Sequence, residues 1–458
     1  MNGRRLLLVL ILLVAVAVPA WPAWLGWQAD RQLSAYEGGR AGEMTLAHRL
    51  ESFDRGWMES TALSRVRLST GAEAVEFDVR HRISHGFGAV VVESIPLIPP
   101  ELEALLAEAF GEAAPLTVTT RLGARGDSAD IGLHSPSFVM TLPDDPDLRV
   151  RSAGLEGEFR VEGHRLRGQL NVPELVLEDP ESTLVVTGQV LELDLSDPSS
   201  RVADGWLEYR LDALDLADGD TEPVRMERVR VRSVQTRQGD FVDLSLQSGF
   251  GAMQAAGWEA TQGEMHLRLG PLHAARYEAL LLELERLQAR TEEGFPDRGP
   301  GAVLLEHLPG LLAHSPELRL DPLRAQMSRG TVELALGAGF DGRDMEPDTL
   351  DLVERLRLSG RIQATRALAE ELAGLISLQT MGGEAGANVD PEARRLLAMP
   401  LGRGVLKGLA EEGYVREEGD GYRTDLSIEE GRLLINGEDR SEWLLLLLTG
   451  LFIPGGFN

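Results

Sequence analysis

The stretch LEGEFRVEGHRLRGQLNV, Leu155 to Val172, decides the fold. Apolar or glycine positions alternate with charged ones on both sides of Gly163-His164. A glycine at the first of two turn positions suits a type II′ β-hairpin. Folding the stretch there pairs Leu155 with Val172, Gly157 with Leu170, Phe159 with Gly168 and Val161 with Leu166. The other face then collects Glu156, Glu158, Arg160, Glu162, Arg165, Arg167, Gln169 and Asn171. A slip of one residue would mix the two sets, so the pattern specifies an antiparallel pair with one wet face.

The same alternation runs outward from this hairpin. Leu207, Tyr209, Leu211 and Ala213 share a face, as do Val242, Leu244 and Leu246, and again Met265, Leu267 and Leu269. Gly, Asp and Pro punctuate the runs between Leu116 and Leu269. Two strands bent around Gly56 are expected between Glu43 and Leu68, and further strands between Leu318 and Leu358. A last hairpin, Tyr422 to Ile435, would set Ile428 against Leu433 and Leu426 against Ile435.

Helices come in blocks. Pro100 to Phe110 opens on a proline, as sterics prefer. Pro271 to Arg290 stripes Tyr277, Leu280, Leu281, Leu284 and Leu287 along one side. A Gly/Pro loop, Gly294 to Gly301, precedes a helix over Ala302 to Ala313, and another follows over Arg366 to Leu378. Asp390 caps one more, with Pro391 in its first turn. The expected class is α+β: an N-terminal transmembrane helix, then a large body of mostly antiparallel, curved β-sheet with helices packed in blocks. The expected segments are 1–28 as anchor, 29–270 as a β-rich region, 271–315 as helices and 316–458 as a C-terminal α+β region.

The chain's 458 residues exceed one typical compact core. Its 73 acidic against 45 basic side chains give a net charge of −28, a field that repels nucleic acid. It has no cysteine, which excludes disulfides, thiolate metal sites and cysteine nucleophiles. Arg4 and Arg5 precede an apolar run, Leu6 to Val18, and no charge follows until Asp30. Residues 6–27 would thus cross a bilayer, with both arginines cytoplasmic and Trp21, Trp24 and Trp27 at the far interface. A cleaved signal peptide with Val18-Pro19-Ala20 at its end is the rival reading. Both export the rest of the chain.

The chemical motifs dissolve on inspection. Gly337 to Gly342 matches G-x-G-x-x-G, yet Val332, Leu334, Leu336, Ala338 and Phe340 alternate straight through it, as in a strand. A dinucleotide site needs those glycines between a strand and a helix. His81 and His85 have the spacing of two zinc ligands on a helix, but Val79 to Ser84 reads as extended. Four residues of strand span about 13 Å, too far to share an ion; a half-exposed pair near a turn is expected. Arg55 is expected to pair with an acid while Gly56 permits a bend. No nucleophile elbow or phosphate-cradling Gly-Lys-Ser/Thr loop occurs.

Phe53-Asp54-Arg55-Gly56, His85-Gly86 and Asn436-Gly437, in this order after an apolar N-terminus, resemble the YdgA-like family of bacterial envelope proteins, defined around a domain of unknown function. The resemblance implies an inner-membrane anchor, a periplasmic body, homodimers and neither known catalytic residues nor cofactors. Where the family continues His-Gly with Pro-Phe-Pro, this chain has Phe87-Gly88. Finally, Asp439 and Glu442 begin a capping-box-like start before Leu444 to Leu448. The expected helix, ending near Gly450, is too short to span a bilayer. Burial under the sheet, a homodimer contact and insertion beside the anchor are its three readings.

The functional expectation is a non-enzymatic envelope module that scaffolds, self-associates or holds a lipid or other hydrophobic ligand. Apolar residues left uncovered in a continuous channel would mark the last of these. A carboxylate- or histidine-dependent envelope hydrolase and a secreted, cleaved protein are the alternatives.

Overall fold

The computed structural model describes residues 38–443, leaving out 42–43, 55–58, 71–72, 86–89, 99, 123–127, 143–144, 199, 220, 256–257, 292–298, 343–354 and 383–390. The expected anchor and Leu444 to Leu448 lie outside the described residues. Among the described residues no helix is long and apolar enough to cross a membrane. They form mostly antiparallel β-sheet with five α-helices, an α+β, β-rich chain. The chain divides into two compact units: Met1–Thr221 with Glu278–Glu306, and Glu222–Tyr277 with His307–Asn458.

In the first unit, β1 (Gly38–Ala41), β2 (Met44–Asp54), β3 (Glu59–Thr70), β4 (Glu73–His85) and β5 (Val90–Leu97) pair in sequence. Helix α1 (Pro100–Phe110) intervenes before β6 (Thr117–Leu122) and β7 (Ser128–Ser135) extend the ladder. A hairpin of β8 (Phe138–Leu142) and β9 (Asp145–Ser152) follows. Strand β10 (Leu155–Glu162) then returns to β7 and leads into β11 (Arg165–Glu178), β12 (Ser182–Leu195) and β13 (Gly205–Asp218).

The deciding hairpin has the expected register, from Glu156 opposite Asn171 to Glu162 opposite Arg165. Gly163 sits at φ +59° in the turn. Gly168 faces Phe159 because a Cβ there would run into the Phe159 ring and the Glu158 carbonyl. The aromatic ring therefore lies over the glycine and fills its place on the apolar face. Helix α1 covers the core: Leu106 is 2% exposed, Phe110 packs at 4.9 Å on Phe138, and Val66, Val79, Leu116, Val118 and Val150 are fully sealed.

The second unit is another antiparallel ladder: β14 (Val224–Gln238), β15 (Phe241–Phe250), β16 (Ala252–Ala255), β17 (Trp258–His273), β18 (Glu317–Met327), β19 (Gly330–Phe340), β20 (Leu356–Thr365), β21 (Arg416–Glu418), β22 (Gly421–Glu429), β23 (Arg432–Ile435) and β24 (Glu438–Asp439). The sheet runs β14–β15–β17–β18–β19–β20–β22–β23–β24. Between β17 and β18 lie α2 (Ala274–Thr291) and α3 (Pro300–Leu312). Helices α4 (Arg366–Gly382) and α5 (Pro391–Glu411) pack on each other, and α4 packs on β19, β20 and β22.

One expectation needs correction. Pro271 does not open a helix: β17 continues through Leu272, which pairs with Val242 and is 4% exposed, so burial holds the strand to His273. After Asp439 the described residues end in a 3-10 turn, Ser441–Trp443, with Ser441 N–H and Oγ–H donating to the Asp439 carboxylate; the rest of the expected closing helix lies outside them.

Candidate functional site: a half-covered leucine face and a sealed histidine

Strand periodicity and register assemble three apolar rows across the second unit. One contains Leu244, Leu269, Leu318, Ala338, Leu358 and Ile428. The next contains Leu246, Leu267, Leu320, Leu336, Gly360 and Leu426. The third contains Met265, Leu323, Leu334 and Ile362. Pro322 sits in the β18 bulge between Leu320 and Leu323, where a missing N–H is tolerated. The rows carry no charged side chain.

These rows close into a core only at their β22 end, where Ile428, 5% exposed, packs with Leu358 and Leu426 against sealed Leu433. All their leucines from Leu244 to Leu426 are half-buried except Leu323, 39% exposed, and Ile362 reaches 53%. By contrast, fifteen side chains of the first-unit core, two of them on α1, are at most 9% exposed. Cover in the second unit is local: Leu368 of α4 is sealed, and Tyr422, beneath the Arg366 guanidinium at 5.2 Å, is 6% exposed. The first unit repeats the pattern on a smaller scale at β12 and β13, where Leu191 and Leu193 are half-buried and Leu207 is 38% exposed. Apolar surface left this open gains about 25 cal/mol for each Å² that a ligand removes from water.

Gly337 and Gly339 fall within β19, opposite Ser359 and Arg357. They occupy the face opposite to Leu334, Leu336 and Ala338, as the alternation predicts, and there is no strand-to-helix turn at them.

His81 departs from expectation. It is 1% exposed rather than half-exposed, because it takes an inward position of β4 between Val79 and Ile83, both buried. Its Nδ1 lies 2.8 Å from Ser94 Oγ and its Nε2 3.0 Å from Ser64 Oγ. Both serines are fully buried, and His48 and Thr120 extend a polar band in the same unit. Burial, and secondarily His48, pushes the His81 pKa down to about 3. The imidazole is therefore neutral, one nitrogen donating and the other accepting. Serine–histidine distances of this size suit nucleophile activation. Here the ring is sealed from any substrate and holds its protons too weakly to serve as a base near neutrality. The arrangement pins three strands together. The signal for it lies in the sequence, since His81 continues the inward run Phe77, Val79; Ser64 and Ser94 become its neighbours only through cross-strand register.

The motif residues separate. Phe53 packs on Ala62, Ile83 and Val92. Arg55, Gly56 and Gly86 lie outside the described residues, and His85 pairs with Val90 at the end of β4. Asn436 and Gly437 form the β23–β24 turn with φ +53° and +85°, the geometry a type I′ turn requires. Asn436 is 4% exposed and does more than turn. Its Oδ1 accepts from Asp425 N–H at 2.9 Å and its Nδ2 donates to the Gly413 carbonyl at 2.9 Å. It thereby ties β22 and the segment after α5 to the last hairpin. Among the described residues no group of three or more histidines and carboxylates is placed to hold a metal.

A family model described as a bacterial protein of unknown function (DUF945) matches residues 1–442, and the chain belongs to that family. No curated protein and no solved structure matches it.

Proposed function

We propose that this DUF945 family member is a YdgA-like, non-enzymatic envelope protein, anchored in the inner membrane with its body in the periplasm, that holds lipid acyl chains on the leucine face of its second unit. One observation carries the reading: two uncharged rows run across six strands and a third across four, and all but Ile428 at the β22 end stay half-buried or exposed. Six strands at about 4.8 Å spacing make a strip roughly 24 Å long. One leaflet of a bilayer's hydrocarbon core is about 15 Å thick, so the strip accommodates an extended chain. The anchor rests on Arg4, Arg5 and the uncharged stretch to Gln28, which would set the body beside a lipid source.

The test is extraction. Full-length protein purified from membranes in mild detergent should carry acyl lipid near one molecule per chain. Leu323→Glu with Ile362→Glu, at positions already exposed, should lose most of it while keeping the fold. A lipid-free monomer would sink the reading. A lipid-free dimer that the double variant splits would replace it with self-association.

A further inference from the structure

The opposite face of the same strands holds a second feature. Two adjoining depressions, about 610 and 360 Å³, share Glu317 and Arg319 and form one trough of mixed polar and apolar lining. Its floor follows a cross-strand row of Ser245, Arg268, Arg319, Gly337 and Ser359. Arg268 and Arg319 stand directly opposite each other on β17 and β18, which disfavours the sheet. In a chain with 73 acidic side chains, that pairing is not forced by composition.

Arg319 reaches the Glu317 carboxylate at 2.7 Å. Arg268 finds no carboxylate among the described residues: its Nε donates at 3.0 Å to His266 Nε2, which is also 3.2 Å from Ser245 Oγ. Its two terminal amino groups therefore remain available. The floor is also emptier than the fold requires. A Cβ at Gly339 would meet nothing nearer than the Glu317 side chain at 3.8 Å, yet glycine weakens a strand interior.

We propose that the trough binds a small hydroxylated oxyanion of the sugar-phosphate class. The paired guanidiniums hold the phosphate, since charged forks of this kind match its oxygens. Ser245, Ser359, Asp243 and Glu317 meet the hydroxyls. The arginine row takes the strand positions opposite in parity to the leucine rows, although Leu318, Leu336, Leu358 and Leu426 also line the larger depression.

The experiment is calorimetric titration of the full-length protein in detergent, at low salt, with glucose 6-phosphate, glucose and inorganic phosphate. Glucose 6-phosphate should bind at least tenfold tighter than either fragment. Arg268→Ala should weaken it by about tenfold to a hundredfold, the range for hydrogen bonds to charged groups. Gly339→Val fills the floor, keeps every charge and favours the strand. It should raise the melting temperature yet weaken binding. No binding of any probe, or unchanged binding in both variants, would overturn the proposal. Inorganic phosphate binding as tightly as the sugar phosphate would rule out the sugar class. Displacement of glucose 6-phosphate by anionic phospholipid vesicles would assign the arginines to a lipid headgroup instead.

Discussion

At the residue scale, two buried polar side chains hold strands together and give the sharpest predictions. His81 is neutral in the fold, with a pKa near 3 against about 6.5 when unfolded. Its contribution is therefore complete above pH 6.5 and falls as pH drops from 6.5 towards 3, because the unfolded chain binds the proton first. The loss reaches on the order of 4 kcal/mol at the acid end. His81→Gln keeps a donor and an acceptor for Ser64 and Ser94 without the titration. Its urea midpoint should fall less between pH 7 and pH 4 than the wild-type midpoint does, and parallel slopes would contradict the assignment. Asn436→Ala removes two buried hydrogen bonds and the residue type that best tolerates φ +53°. A loss of about 2–4 kcal/mol in denaturant unfolding is expected. Asn436→Gly relieves the backbone but not the hydrogen bonds, so it should recover only part. An Asn-Gly pair after an apolar strand is a turn signal in the sequence. That the side chain also stitches Gly413 and Asp425 was hidden, because those partners are distant in the chain and joined only by packing.

At the element scale, strands were legible and helix starts less so. Alternation placed the β10–β11 and β22–β23 registers correctly because each hairpin has one apolar face and a short turn to set the phase. The same logic placed α1 at Pro100–Phe110. It failed at Pro271, where a residue suited to opening a helix sits inside a strand that Leu272 buries. Propensity there yielded to tertiary contact. Gly168 tests the hairpin: Gly168→Val puts a branched side chain into the Phe159 ring. It should cost about 1–3 kcal/mol, the usual range for overpacking, although valine is the better strand former. An unchanged melting temperature would mean that the ring does not lie where the structure puts it. For the site, each run of leucines was readable, but their union into rows across six strands was not. Nor was the partial cover among the described residues readable, since alternation is the same for a core and for an open face. The Arg268–Arg319 pair was hidden for the same reason, because β17 and β18 are separated by two helices.

At the scale of the whole molecule, charge, address and surface must agree. A net charge of −28 keeps the body from anionic lipid headgroups, so contact with lipid has to come from the uncharged rows rather than from electrostatic adsorption. Raising salt should accordingly leave lipid retention unchanged, whereas charge-driven binding weakens as salt screens it. Mass spectrometry of the protein recovered from membrane and soluble fractions tests the proposed address. An intact N-terminus in the membrane fraction is expected, while soluble protein cut after Ala20 or Ala23 would contradict the anchor. The most direct test of the leucine face exploits a chain without cysteine. Leu334→Cys and Ile362→Cys each place a single thiol in the rows and can be labelled with a maleimide after delipidation, then again with acyl lipid restored. Rapid labelling that lipid suppresses is the predicted result. Thiols that react equally with and without lipid, or that never react, would show that the face does not hold acyl chains.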